Sequence, residues 1–151
     1  MLHENDSLPP FHLDNQDGVA RDNASYKGKW LVLYVYPKDD TPGCTIQGQS
    51  FTSAKADFDA ANAVVVGLSA DDVGSHKAFC SKFSFTIELL ADPQATLLSA
   101  LGVGQSEWKG TKYWERTTFV VDPSGVIKKV YEKVDPKDHE QTVLQDLKAL
   151  R

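Results

Sequence analysis

The sequence predicts an α/β domain: a central mixed sheet flanked by helices, with a short amino-terminal β-hairpin. Two observations carry this. Residues 30–36 (Trp-Leu-Val-Leu-Tyr-Val-Tyr) and 64–68 (Val-Val-Val-Gly-Leu) are apolar almost throughout, as strands covered on both faces must be. Segments with helical spacing separate and follow them, so that strand–helix–strand leads to a hairpin and a final helix. A chain of 151 residues suits one domain, residues 1–151. At that size it hides roughly 70% of its unfolded surface.

Taken in order, residues 11–18 alternate briefly and end in the Asp17-Gly18 turn, which gives the hairpin. A polar break at 26–29 precedes the first buried strand, and Pro37 stops it. Residues 46–61 space Phe51, Ala54 and Phe58 by three and four, predicting one helix. The second strand follows at 64–68. Residues 69–72 and Gly74-Ser75 offer caps for a helix over 76–83. A short helical piece at 97–101 is closed by Gly102. Residues 117–121 form a third strand, which Asp122-Pro-Ser-Gly125 turns into a fourth at 126–131. The terminal helix, 140–150, places Val143, Leu144, Leu147 and Leu150 on one stripe. This order matches a thioredoxin-like layout with Cys44 at the end of a central strand. Crevices at strand carboxyl ends are where α/β sheets usually place their sites.

Composition narrows the function. With 41% hydrophobic and 25% charged residues the chain is built like a soluble globular protein. Sixteen basic against twenty-one acidic residues give a net charge of -5, which argues against nucleic-acid and anionic-membrane partners. The acidic, polar residues 1–7 are unlike a secretory leader, and no apolar stretch reaches membrane-spanning length. A cytoplasmic protein is expected. Two cysteines without a C-x-x-C pair exclude a disulfide-rich scaffold. The four histidines show no metal-ligand spacing to either cysteine, so a structural zinc site is not expected.

The chemistry concentrates in residues 36–45, Tyr-Pro-Lys-Asp-Asp-Thr-Pro-Gly-Cys-Thr. Cys44 falls between an apolar strand and a helix, where unpaired N–H groups and the helix dipole favour thiolate. The pattern Pro37-x-x-x-Thr41-x-x-Cys44 resembles the active-site signature of peroxiredoxins, and the longer string resembles the bacterioferritin comigratory protein, or PrxQ, subgroup. Weaker similarity extends over nearly the whole chain, through Lys27-Gly-Lys29, Ser75-His76, Leu89-Leu-Ala-Asp92 and Glu115-Arg-Thr-Thr-Phe119.

The resemblance implies a thiol-dependent peroxidase acting on hydrogen peroxide and organic hydroperoxides, with no metal or other cofactor. Cys44 is then the peroxidatic residue, and a thioredoxin-type dithiol is the reductant. Lowering a thiol's pKa also lowers its intrinsic nucleophilicity, so other groups must hold the peroxide and stabilise its leaving oxygen. Thr41 and Arg116 are the candidates, Pro37 and Pro42 shape the loop, and the Cys44 N–H is a further donor. Each has a structural alternative. Thr41 can cap the helix, Arg116 can be a strand-edge charge or pair with Glu115, and the prolines can simply punctuate the loop.

Oxidation leaves a sulfenic acid that a second thiol must capture. Many relatives carry that cysteine five positions on, where this chain has Gln49; others carry it on the next helix, which fits Cys80. The alternative is a small core residue beside Phe79 and Phe83. If the two cysteines start on separate folded helices, beyond the roughly 7 Å limit for a disulfide, the Cys44 turn, the Cys80 helix or both must unwind; Gly74 and the loose composition of 69–75 suit the second. Relatives commonly carry a glutamate where this chain has Gln47, a neutral amide still able to orient Arg116. His76 reads as a surface or capping residue and Asp39 and Asp40 as a solvated loop face. Trp30, Trp108 and Trp114 read as core or pocket-rim aromatics. A general disulfide oxidoreductase and a redox-sensing module are the rival functions, and a monomer is expected from the resemblance.

Overall fold

A computed structural model describes the chain from Met1 to Arg151. It opens with β1 (His12–Asn15) and β2 (Ala20–Asp22), the expected hairpin, in which Gly18 supplies the left-handed turn residue at φ +72°. A 3-10 turn at Asn23–Tyr26 leads into β3 (Trp30–Val35). Helices α1 (Pro42–Ser53) and α2 (Lys55–Ala60) follow, then β4 (Ala63–Ser69), α3 (Val73–Phe83) and β5 (Glu88–Ala91). Helix α4 (Thr96–Leu101) ends at Gly102 in the left-handed region, as its position after Leu101 predicts. Beyond it lie β6 (Gln105–Trp108), β7 (Thr111–Trp114), β8 (Thr117–Val121), β9 (Ile127–Tyr131) and α5 (His139–Leu150).

Seven strands form the main sheet in the order β2-β1-β5-β4-β3-β8-β9. Strands β3, β4 and β5 run parallel, while β8 and β9 on one side and β1 and β2 on the other are antiparallel. The sheet is therefore mixed. Its central strand β3, buried from Leu31 to Val35, shows the period-two logic directly. Val32 and Tyr34, with Tyr36 just beyond the strand, face a core shared with Phe51, Phe58, Phe79, Val143 and Leu147. Leu31, Leu33 and Val35 face a second core with Leu97, Leu98, Leu101, Phe119 and Ile127. No helix is long and apolar enough to cross a membrane.

Several expectations need correction. The single helix over 46–61 starts earlier, at Pro42, and breaks at Ala54 into α1 and α2. Helix α3 starts at Val73, capped by the Asp72 carboxylate accepting from the Ser75 N–H at 2.8 Å. The 69–75 stretch is not loose: Ser69 is buried and its hydroxyl donates to Asp71 at 2.7 Å. Leu150 departs from its stripe and is exposed, whereas Val143, Leu144 and Leu147 are buried. Strand β5 and the separate β6–β7 hairpin add to the elements the sequence predicts. The hairpin carries Trp108 at 65% exposure, so this tryptophan is neither core nor sheltered; Trp30 and Trp114 do pack against the cores.

Candidate active site

Strand β3 ends in the loop that presents Cys44, and the chain enters α1 at Pro42, where the missing proline N–H costs nothing. Thr45 N–H, bonded to Thr41 O at 2.9 Å, is the first amide of α1 with a backbone acceptor. The N–H groups of Gly43 and Cys44 are left free at the positive end of the helix. Cys44 itself is 1% exposed and packs with Tyr34, Tyr36 and Phe51. Thr41 holds the N-cap position, yet its hydroxyl does not cap. It donates to Lys38 O at 2.8 Å, which tightens the loop and leaves the oxygen lone pairs free to accept.

Arg116 comes from the residue before β8 and reaches across this helix start. Its Nη1 donates to Gln47 Oε1 at 2.7 Å. A Cβ placed on Gly43 would collide with Arg116 Nη2 and stand 3.1 Å from Cζ, so the guanidinium lies directly against the residue before Cys44. Gly43 is therefore glycine for close approach. Glu115 is occupied otherwise: its carboxylate accepts from Ser106 Oγ at 2.6 Å. Pairing with Glu115 thus does not hold Arg116, whereas the amide of Gln47 orients it as expected. Pro37 and Arg116 border an open cleft of about 570 Å³ that also meets Ser106, Tyr113, Glu115 and Val134. The β6–β7 hairpin supplies two of those walls.

Cys80 lies in the second half of α3, half-buried among apolar residues that include the first core. Burial, then the negative charges of Asp39 and Asp17, push its thiol up to about 12. Both cysteines are free thiols on separate helices. They share a neighbour in Tyr34. Burial first, then the charges of Cys44, Cys80 and Asp39, raise its phenol well above the ordinary value, and Arg116 pulls the other way.

Two residues read as surface groups are core groups. His76 is 0% exposed, and Asp39 is buried with it. Asp39 Oδ2 lies 2.7 Å from His76 Nδ1 and accepts from Ser75 Oγ at 2.8 Å, while Oδ1 accepts from Tyr36 OH at 2.6 Å. His76 Nε2 sits 2.8 Å from Leu90 O. Their burial was not readable because the partners are 37 residues apart. The only local hints were two adjacent aspartates after Tyr36-Pro37 and a Ser-His pair at a helix start. Asp40 does face solvent, where it pairs with Lys82 at 2.8 Å. Asp39, Asp71 and His76 bring possible metal-ligand atoms within 4.8 Å of one another. Here both ring nitrogens of His76 and both oxygens of Asp39 are engaged in hydrogen bonds, so the cluster is a proton-bonded network.

Comparison with known proteins agrees with this geometry. Residues 5–130 match the AhpC/TSA family. The chain is 37% identical over 149 residues to peroxiredoxin Bcp of Bacillus subtilis, covering 94% of this chain and 92% of that one. Its fold superposes on a PrxQ variant from Xylella fastidiosa with a TM-score of 0.94 at 33% identity, over 99% and 98% of the two chains. A bacterioferritin comigratory protein from Xanthomonas campestris, studied for its alkyl peroxide reduction activity, gives 0.87 at 34% identity over 93% and 91%. Proteins of this kind take hydroperoxides as substrates and a thiol as reductant. A buried cysteine at a helix start, an arginine laid against the glycine before it and a thioredoxin-like sheet beneath them thus have a family: the chain belongs to the AhpC/TSA family and is a thiol peroxidase of the Bcp/PrxQ peroxiredoxin type.

Proposed function

We propose that Cys44 is the peroxidatic residue, reducing hydrogen peroxide and organic hydroperoxides. The thiolate attacks one peroxide oxygen; an S–O bond forms, the O–O bond breaks, and the leaving oxygen departs with a proton as water or alcohol. Cys44 becomes a sulfenic acid. The free N–H groups of Gly43 and Cys44 and the Arg116 guanidinium stabilise the anion and the charge moving onto the leaving oxygen. Thr41 Oγ1 accepts the peroxide O–H, and Pro37 walls the sulfur from water. The observation that carries this reading is the seat of Arg116 on Gly43 with its anchor to Gln47. The alkyl peroxide reduction activity of the Xanthomonas campestris relative favours organic hydroperoxides among the substrates.

Cys80 then attacks the sulfenic sulfur, forming a Cys44–Cys80 disulfide with loss of water, and a thioredoxin-type dithiol returns both thiols. The protein works as a single domain of residues 1–151, a monomer in the cytoplasm, without metal or other cofactor and without nucleic-acid or membrane partners. Mass spectrometry of peroxide-treated protein tests the chemistry. Wild type is expected to lose two hydrogens in a Cys44–Cys80 bond, and Cys80→Ser to gain oxygen at Cys44. Oxygen on Cys80 in place of Cys44 would overturn the assignment. Steady peroxide consumption with thioredoxin and its reductase separates the enzyme from a sensor oxidised once.

A further inference from the structure

Helix α3, which carries Cys80, is tied to the loop that presents Cys44. Beyond its own Asp72 cap and the bond to Leu90 O, every side-chain hydrogen bond from α3 ends on Tyr36, Asp39 or Asp40. The strongest of these ties is buried. Leu90 O can only accept, so His76 Nε2 carries a proton and donates to it. On the other side Nδ1 faces a carboxylate oxygen at 2.7 Å. Two lone pairs would repel at that distance, so a proton lies between them. That shared proton makes the contact a charge-assisted hydrogen bond between the Cys80 helix and the Cys44 loop. Tyr36 OH and Ser75 Oγ complete the shell, and Asp71 accepts from the Asp39 N–H at 2.9 Å. The second tie, Lys82 to Asp40, is exposed.

We propose that Asp39 and His76 are positioning residues: their buried pair clasps the Cys80 helix to the Cys44 loop and sets how often that helix opens. This rests on the assignment of Cys80 as the resolving thiol. The consequence is chemical. The Cys44 sulfenic acid has two fates. Cys80 sulfur attacks it, the S–S bond forms, the S–O bond breaks and the hydroxyl leaves with the Cys80 proton as water. Alternatively a second hydroperoxide adds an oxygen, giving sulfinic acid as the O–O bond breaks and alcohol or water leaves. The first route draws the Cys80 helix and the Cys44 turn out of their present seats, and movement of either one parts the clasp; the second route leaves both in place. Breaking a buried pair is costly, whereas an exposed pair contributes little. The clasp therefore governs the division between the two products.

The test uses the full-length protein with His76→Leu, Asp39→Asn and Asp40→Asn. The amide introduced by Asp39→Asn keeps the shape of the carboxylate and can donate to a neutral ring, so this variant guards against one that simply fails to fold. Hydrogen exchange of the reduced proteins is expected to speed up about tenfold or more across α3 in the first two variants, with β3 and β8 still protected. The peroxide concentration giving equal sulfinic acid and disulfide should rise with it; Asp40→Asn should change both by less than about twofold. Unchanged α3 exchange in folded variants, or more sulfinic acid despite faster opening, overturns the proposal. A wild type that forms no Cys44–Cys80 bond removes the Cys80 assignment instead, and exchange across α3 still reports on the clasp.

Discussion

Cys44 and Cys80 are the same side chain in opposite surroundings. Cys44 is almost fully enclosed, yet two free amides and a guanidinium converge on its end of α1. Cys80 is more exposed to solvent, yet apolar neighbours and two carboxylates hold its thiol up to about 12. Exposure alone therefore does not describe either sulfur's surroundings; the direction of nearby dipoles and charges differs between them as well. Fold geometry creates the contrast. Cys44 stands in the first turn of its helix, where donors are unpaired, and Cys80 stands beyond the middle of its own, where they are not.

Removing Arg116 should break the comparison most severely. Arg116→Met is expected to lower the second-order rate of Cys44 oxidation about 10²–10³-fold, measured by stopped-flow fluorescence, with little loss of thermal stability. A variant as fast as wild type would leave the helix start as the sole source of the difference.

The other side of the contrast is tested at Cys80. In Cys44→Ser protein, alkylation of Cys80 at neutral pH should be about tenfold to a hundredfold slower when folded than in urea, a range that allows for solvent screening of a half-exposed group. The sign in stability follows. The folded thiol holds its proton from an ordinary value near 9.0 up to about 12. Its favourable contribution is complete below about 9 and is lost as pH rises toward 12. Urea unfolding at pH 8 and 10 should show the loss, and Cys80→Ala should reduce it.

A smaller effect is expected where the two cysteine helices meet. A Cβ on Gly48, one turn after Cys44, would collide with the ring of Phe85, just beyond the end of α3. Gly48→Ala should cost about 1–3 kcal/mol in chemical unfolding. It should also loosen the Cys80 side and the Cys44 side together. A change confined to one helix by hydrogen exchange would mean the two move independently.

What the sequence revealed and what it hid follow the range of the interactions. The strand at 30–36, the helix start at Cys44 and the Gly18 and Gly102 turns rest on neighbours a few residues away, and all are found. Strand β5 is only four residues and pairs with β4 and with the hairpin strand β1, partners that no local pattern specifies. The β6–β7 hairpin has little apolar alternation to betray it, only a Lys109-Gly110 turn with both residues at positive φ. His76 and Asp39 were misplaced for the same reason: each is a polar residue in a polar stretch until the other is brought beside it. The seat of Arg116 was legible only through resemblance, since 72 residues separate it from Cys44.

The finest test concerns Gln47, one helical turn after Cys44. Its Oε1 holds Arg116, but its Nε2 is buried with no partner, a cost of about 1–3 kcal/mol. Gln47→Glu removes that orphan donor and gives the guanidinium a charged acceptor, so stability should rise by about 1 kcal/mol. The added carboxylate also opposes charge on Cys44 and offsets part of the arginine's field. These two changes act against each other on rate, and the oxidation rate should move less than about threefold. A drop beyond tenfold would show that Arg116 serves Cys44 through net charge, because its position would be held at least as firmly as before. An unchanged rate with raised stability would show the reverse: what distinguishes Cys44 from Cys80 is then where the guanidinium sits.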